Sequence, residues 1–203
     1  MTTDRPATLA WERLASGNER FVADRPEHPR QDAHRRAELA DGQRPVAAVL
    51  GCSDSRVAAE VLFDQGLGDL FVIRNAGQVA SASAIASVEY AVGVLGVPLV
   101  VVLAHDRCGA VQAAIDAAAP GAAPLPPLIA AHIQAIRPAV AAAPGGDAAA
   151  VGEAHLESTA ASLLAASDLL SVAVADGSVD VVGANYRLAE GRVERRFAVG
   201  GAS

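Results

Sequence analysis

Three short, uninterrupted apolar runs limit what this chain can fold into. They are Val46–Leu50, Leu70–Ile73 and Leu99–Leu103, and polar residues and then a helical pattern follow each of the last two. Apolar runs of this length, without alternation, are typical of parallel strands that are buried on both faces. Together with the helical segments between them, they predict an α/β fold with a mostly parallel central β-sheet flanked by helices.

The remaining elements follow from helical periodicity and from turn residues. We expect helices over Ala7–Ala23, Gln31–Ala40, Ser81–Leu95, Leu128–Ala143 and Ala148–Val174, and a further helix that begins at Gly109. The first two form an N-terminal helical arm over residues 1–40. Val179–Leu188 and Arg192–Phe197 predict a C-terminal hairpin at the edge of the sheet. We interpret residues 1–203 as one domain.

Charge and composition narrow the class of partner. The net charge of −7 disfavours nucleic acid and anionic membranes, because both attract clustered positive charge. A small-molecule partner is therefore expected. The N-terminal residues lack a secretory pattern, and no apolar stretch has membrane length, so we expect a cytoplasmic location. In that compartment the two cysteines are buried thiols, a redox pair or metal ligands.

Polar clusters follow two of the predicted strands. Cys52 comes directly after the first strand, while His105 and Cys108 follow the strongest one. In open α/β sheets, ligands bind outside the carboxyl ends of the strands. Two thiolates and an imidazole suit Zn²⁺ and leave one coordination position open. The alternative is two inert thiols and a hydrogen-bonded core histidine.

The cluster around Cys52 also contains an acid–base pair. Asp54 and Arg56 flank one residue, and alternate side chains of an extended segment point the same way, so the two can form an ion pair. Asp54 can instead serve as the fourth ligand of a metal ion. The helix that follows Cys108 favours a thiolate there through its dipole. The other histidines are predicted to have surface or capping roles; they are His28, His34, His132 and His155.

Three segments of the sequence closely resemble the β-class carbonic anhydrases. They read GCSDSRV, GDLFVIRNAG and SVEYAVGVLGVPLVVVLAHDRCGAV. The resemblance implies one Zn²⁺ per subunit on Cys52, His105 and Cys108, with Asp54 and Arg56 as a catalytic dyad. It also implies reversible hydration of carbon dioxide to bicarbonate by a zinc-bound hydroxide. The substrate-binding positions that it implies are Gln43, Phe71, Ala76, Tyr90 and the backbone N–H of Gly109.

The same resemblance implies a substrate cleft at a dimer interface, in a homodimer or a dimer of dimers whose N-terminal helices embrace the neighbouring subunit. This sequence departs from the family pattern at three places. Ala59 replaces a common proline, Asp106-Arg107 replaces a small or polar pair, and Val49 replaces a tryptophan that completes an inhibitory bicarbonate site in some bacterial members. Two other functions remain open: hydrolysis of carbonyl sulfide or carbon disulfide, and a noncatalytic zinc-binding module. Redox use of the cysteines is a weaker third.

Overall fold

A five-stranded sheet forms the centre of the protein. In the computed structural model, which describes residues 5–201, the strands are β1 (Ala47–Cys52), β2 (Leu70–Asn75), β3 (Leu99–His105), β4 (Asp180–Arg187) and β5 (Arg192–Val199). They lie in the order β2-β1-β3-β4-β5; the first four are parallel, and β5 runs antiparallel to β4. The mostly parallel sheet and the C-terminal edge hairpin are confirmed.

Helices cover both faces of this sheet. They are α1 (Pro6–Val22), α2 (Ala33–Glu38), α3 (Ala59–Leu62), α4 (Ala82–Gly93), α5 (Gly109–Ala118), α6 (Pro127–Ile133), α7 (Arg137–Ala142), α8 (Ala148–Ala166) and α9 (Asp168–Ala175). The four-residue helix α3 was not predicted, because it is too short to show a helical period.

Two helices predicted as continuous are each broken in two. The predicted Leu128–Ala143 helix divides into α6 and α7, and Pro138 lies in the first turn of α7, where its missing N–H costs least. The predicted Ala148–Val174 helix divides at Ser167. The hydroxyl of Ser167 accepts a hydrogen bond from the backbone N–H of Leu170 at 3.1 Å and so caps the start of α9.

Side chains of the central strands β1 and β3 point alternately to the two faces of the sheet and contribute to a separate core on each face. Every residue of β1 and β3 is buried. Val49 and Val101 pack on one face of the sheet with α1 and α3, whereas Leu50 and Val102 pack on the other with α4, α8 and α9. Because successive side chains of a strand point to opposite faces, an unbroken apolar run fills both cores at once. This explains why β1 and β3 lack polar residues until their last positions.

Helix α1 packs against the sheet of its own chain. Leu14 is fully buried, and the side-chain amide of buried Asn18 donates hydrogen bonds to the carbonyls of Leu62 at 3.0 Å and Gly191 at 2.9 Å. The amide oxygen of Asn18 accepts a hydrogen bond from Val193 at 2.8 Å. One asparagine therefore joins α1, α3 and the β4–β5 turn. Contact of the N-terminal arm with a neighbouring subunit stays a prediction.

Within residues 5–201, no individual helix combines the length and the apolar character needed to cross a membrane. Helices α8 and α9 pass that criterion only when they are taken together, and their axes are bent by 100°.

Candidate metal centre

The sheet brings the ends of β1 and β3 side by side. Gly51 pairs with Leu103 in parallel register, so Cys52 and His105 lie at the same edge of the sheet. A turn with Arg107 in the left-handed region (φ 53°) then leads to Cys108, the residue before α5. The Sγ atoms of Cys52 and Cys108 are 4.0 Å apart, and the ligand atoms of all three residues lie within 4.8 Å of one another.

His105 presents one unpartnered nitrogen to the two sulfurs. Its Nδ1 donates a hydrogen bond to the carbonyl oxygen of Asp106 at 2.8 Å, because a carbonyl can only accept. Its Nε2 is buried and has no hydrogen-bond partner among the residues that the structure describes. A buried polar atom without a partner is costly, and a metal ion at this position would satisfy it. The carboxylate of Asp106 points away and accepts a hydrogen bond from Leu188.

The three residues fit Zn²⁺. Two sulfurs at the usual Zn–S distance in a tetrahedral site are separated by about 3.8 Å, close to the spacing of Cys52 and Cys108. Cys52, His105 and Cys108 are between 4% and 6% exposed, so water competes little for the position between them. Three protein ligands leave a fourth position open, as in catalytic rather than structural zinc sites.

The two thiols shift each other's pKa in opposite directions. The hydrogen bond from Cys108 lowers the pKa of Cys52 well below its usual value, although burial opposes the shift. The neighbouring imidazole of His105 and the hydrogen bonds from the N–H groups of Gly77 and Asp54 lower this pKa further. The same bond, and then burial, raise the pKa of Cys108 and outweigh the N–H groups of α5. The predicted stabilisation of a Cys108 thiolate by α5 is therefore present, but Cys52 and burial outweigh it.

The pKa values of His105 and Asp54, next to these sulfurs, are shifted in opposite directions. Burial lowers the pKa of His105, but Cys52, the carbonyl of Asp106 and the carboxylate of Asp54 together outweigh it and raise the pKa overall. The Arg56 side chain holds the pKa of Asp54 far below its usual range, so this carboxylate is ionised at neutral pH. A metal ion bound by these residues would displace any protons on the two sulfurs and on Nε2 of His105.

Arg56 holds both oxygens of Asp54. Its Nε donates to Oδ1 at 2.9 Å and its Nη2 donates to Oδ2 at 2.7 Å. Oδ2 also lies 3.9 Å from Nε2 of His105, next to the centre of the three ligands. Of the two arrangements open to Asp54, this structure has the ion pair with Arg56.

Arg74 fixes the loop that carries this pair, and our sequence interpretation missed it. It donates from Nε to the carbonyl of Cys52 at 2.9 Å and from Nη2 to the carbonyl of Asp54 at 2.7 Å. The signal was its position at the carboxyl end of β2, beside Gly51 in the register. A guanidinium there can reach backbone groups that leave the neighbouring strand.

Two histidines that we predicted to have surface or capping roles contact the turn beside Cys52. Nε2 of His132 donates to the carbonyl of Ala76, and Nε2 of His155 donates to the carbonyl of Gly77, both at 2.7 Å. His155 is only 2% exposed, so a surface role is wrong for it, and burial lowers its pKa. His28 and His34 are exposed, as expected. The contacts were missed because both partners are backbone atoms more than 50 positions away.

The expected substrate-binding residues fall into two groups. Ala76 and Gly109 adjoin the metal centre, because Gly77 donates to Cys52 Sγ at 3.2 Å and Gly109 follows Cys108 as the first residue of α5. The rings of Phe71 and Tyr90 contact each other, with centroids 6.0 Å apart.

This second group lies away from the metal centre of its own chain. Phe71 pairs with Ala48, whereas Cys52 pairs with Asn75, so Phe71 is about 13 Å back along the strand from the ligand edge. Gln43 precedes β1 and is exposed at the opposite end of the sheet. One chain therefore does not bring Gln43, Phe71 and Tyr90 to its own ligands.

Comparison with known proteins agrees with this site. A family model described as carbonic anhydrase matches residues 47–193. The chain is 47% identical over 194 residues to carbonic anhydrase 2 of Mycobacterium tuberculosis, covering 94% of this chain and 93% of that protein. It is 46% identical over 194 residues to carbonic anhydrase of Mycolicibacterium smegmatis, covering 94% of both.

The fold is also similar to that of a carbonic anhydrase of known structure. A crystal structure of a tetrameric β-carbonic anhydrase from the ascomycete Sordaria macrospora superimposes with a TM-score of 0.70 at 22% identity, covering 93% of this chain and 97% of that chain. Because sequence, fold and the Cys-His-Cys arrangement agree, this chain belongs to the β-class carbonic anhydrase family.

Proposed function

We propose that this protein is a carbonate dehydratase that converts carbon dioxide and water reversibly to bicarbonate and a proton. It would use one Zn²⁺ per subunit, held by Cys52, His105 and Cys108. One observation carries the proposal: two sulfurs and an unpartnered buried nitrogen converge within 4.8 Å at the carboxyl end of a parallel sheet. The names of its relatives support the same activity.

Zinc at this site would supply a water molecule of lowered pKa, and so a nucleophile near neutral pH. The residues of the chain would then orient the reactants. The ionised Asp54 lies beside the ligand centre and can accept a hydrogen bond only, so it would orient a hydroxyl group and turn that group's lone pair toward the substrate. Arg56 would hold Asp54 in this position through two hydrogen bonds.

Gly109 and Ala76 would complete the near side of the cleft. Gly109 is the first residue of α5, where backbone N–H groups have no partner within the helix, so its N–H can bind an oxygen of the forming bicarbonate. The exposed methyl group of Ala76 offers an apolar wall next to Cys52. Such fixed donors stabilise developing charge without having to reorganise.

A second copy of the chain would complete the far side. Gln43, Phe71 and Tyr90 lie away from their own ligands, and Tyr90 is 46% exposed, so its ring is accessible to a second chain. We therefore propose a homodimer or a dimer of dimers in which each copy supplies these three residues to the other. The relative from Sordaria macrospora is tetrameric, which supports assembly of this kind.

The shared cleft can be tested by complementation. Cys52→Ser and Gln43→Ala should each be inactive alone. If the cleft is shared, mixed dimers contain one intact site, and random exchange of subunits should restore about a quarter of the wild-type sites. Mixing that restores no activity, although mass spectrometry detects the mixed dimer, would contradict the shared cleft.

The activity itself is tested by stopped-flow carbon dioxide hydration on protein of measured zinc content. We expect hydration in proportion to bound zinc. Protein with one zinc per chain and no hydration above the buffer rate would point instead to the noncatalytic zinc-binding module. A closed structural site of that kind would need a fourth protein ligand. Asp54 is the candidate, but both of its oxygens accept hydrogen bonds from Arg56. Parallel assays with carbonyl sulfide separate hydratase from hydrolase activity.

We also propose that the protein acts in the cytoplasm. The site needs Cys52 and Cys108 as separate thiols, and both are free here. A reducing compartment keeps two neighbouring thiols from forming a disulfide.

A further inference from the structure

A single peptide group connects His132 to the sulfur of Cys52. The carbonyl of Ala76 and the N–H of Gly77 belong to one planar amide. Its carbonyl end accepts a hydrogen bond from Nε2 of His132 at 2.7 Å, and its N–H end donates to Cys52 Sγ at 3.2 Å. The imidazole, the amide and the sulfur are therefore connected by two successive hydrogen bonds.

The turn that contains this amide is fixed from several directions. Gly77 and Gln78 both have positive φ, at 77° and 42°. The side chain of Asn75 closes the turn by accepting from the N–H of Val79 at 2.7 Å and donating to its carbonyl at 2.8 Å. Buried His155 donates to the next carbonyl, that of Gly77. Residues in such conformations persist only where their surroundings hold them.

The glycine is also required by space. A Cβ atom at Gly77 would lie 2.9 Å from the Cβ of Ala110 and 3.1 Å from Cδ1 of Ile136. A side chain at position 77 would therefore collide with α5 and with Ile136, the residue before α7. The direction of the amide is set by the two hydrogen bonds at its ends.

We infer that His132 is a positioning residue of the metal centre, which acts on Cys52 through the Ala76–Gly77 amide. A hydrogen bond to a carbonyl polarises the amide and strengthens the bond that its N–H donates, because hydrogen bonds in a chain reinforce one another. A stronger N–H···S bond stabilises the thiolate and fixes the direction of the sulfur. The inference rests on the proposed zinc ion.

His132 suits this test better than His155. It is only partly buried on α6, so its replacement removes little packing. His155 is fully enclosed, and its truncation would leave a cavity that affects stability in any case. Removing a group that is hydrogen-bonded directly to a metal ligand typically changes the metal affinity by about 10- to 100-fold. His132 acts one hydrogen bond further out, so we expect an effect at the lower end of that range.

The experiment compares His132→Ala, His132→Gln and the wild type. The glutamine keeps an N–H donor at similar reach, and His34→Ala on exposed α2 is the matched control. Zinc affinity is measured by competition with a chelator, and the thiolate-to-metal absorption band is recorded on the cobalt-substituted proteins. For His132→Ala we expect about tenfold weaker zinc binding and a band shifted to longer wavelength, because the sulfur becomes more electron-rich. His132→Gln should restore both values, and His34→Ala should leave both unchanged.

Three results would overturn the inference. Zinc affinity and band position in His132→Ala equal to those of the wild type would do so. Equal losses in His132→Ala and His132→Gln would also do so, because the donated hydrogen bond would then not be the cause. If the wild type failed to bind zinc, the proposed metal would be rejected together with this role, whereas the first two results leave the metal intact. The cobalt band reports on folded protein, so a lower melting temperature in one variant does not obscure the outcome.

Discussion

Oδ2 of Asp54 lies 3.9 Å from Nε2 of His105, next to the metal-binding nitrogen but outside hydrogen-bond distance. Arg56 holds the carboxylate there, since both of its oxygens accept hydrogen bonds from the guanidinium. The fourth coordination position is thus controlled by an ion pair between two residues of the same loop. A small rotation of Asp54 would convert an open site into one closed by four protein ligands.

Removal of Arg56 should close the site. In Arg56→Ala the carboxylate loses its partner, and we expect it to bind the metal in place of water. Carbon dioxide hydration at neutral pH should fall by about 100-fold or more, within the range for loss of a preorganised electrostatic group, while zinc content stays at the wild-type value. Stopped-flow assays and metal analysis measure both, and Arg36→Ala on exposed α2 is the control. An active Arg56→Ala enzyme would contradict this role.

Replacement of Cys52 by serine should remove zinc and activity together. A hydroxyl is a far poorer ligand than a thiolate for a borderline-soft ion. Ser53→Ala, at the exposed neighbouring position, should keep both. Metal analysis after dialysis against a weak chelator is the measurement, and a Cys52→Ser protein that retained one zinc per chain would show that the ligand set is wrong.

The ion pair should also make stability depend on pH. Arg56 holds the folded-state pKa of Asp54 well below the unfolded value of about 3.9. The stabilisation is therefore complete above the unfolded value and is lost as pH falls toward the folded one. In metal-free protein, the difference in melting temperature between wild type and Asp54→Asn should be largest near neutral pH and should narrow below about pH 4. A difference that stays constant down to about pH 2 would contradict the shifted pKa.

Two helical glycines should respond to alanine in opposite directions. A Cβ atom at Gly17 would overlap the backbone carbonyl of Phe63, so Gly17→Ala should lower the free energy of unfolding by about 1–3 kcal/mol. Gly152 in α8 has nothing within 4 Å of the same position, so Gly152→Ala should raise it by about 0.5–1 kcal/mol. Urea denaturation measures both, and equal effects of the two substitutions would show that α1 is not packed closely on α3.

The parallel strands and the ligand set could be predicted because local sequence determines them. A run of β-branched residues such as Val100, Val101 and Val102 favours a strand that is buried on both faces. Polar ligands directly after two such parallel strands are expected at the same edge of the sheet. The break at Ser167 could not be predicted by periodicity. The apolar pattern continues past this residue. The break arises because the Ser167 hydroxyl accepts a hydrogen bond from the N–H of Leu170 and so caps the start of the next helix.

The surroundings of the ligands were much harder to predict. Arg74, His132 and His155 act on backbone carbonyls, and a carbonyl has no sequence signature. Such contacts depend on how β2, α6 and α8 pack, and so on the whole fold. The role of Gln43, Phe71 and Tyr90 depends on a second chain, which no pattern within one sequence specifies.

The parallel pairing of β1 with β3 has a consequence for how the metal is acquired. Cys52 and Cys108 are 56 positions apart, so of the three ligands only His105 and Cys108 are close together in an unfolded chain. Full coordination begins when the sheet has formed, and bound metal then favours the folded chain by mass action, by about 4 kcal/mol at a free zinc concentration a thousand times the dissociation constant. Zinc would therefore stabilise the paired sheet, and a chain that retains zinc would be one in which β1 and β3 have paired correctly.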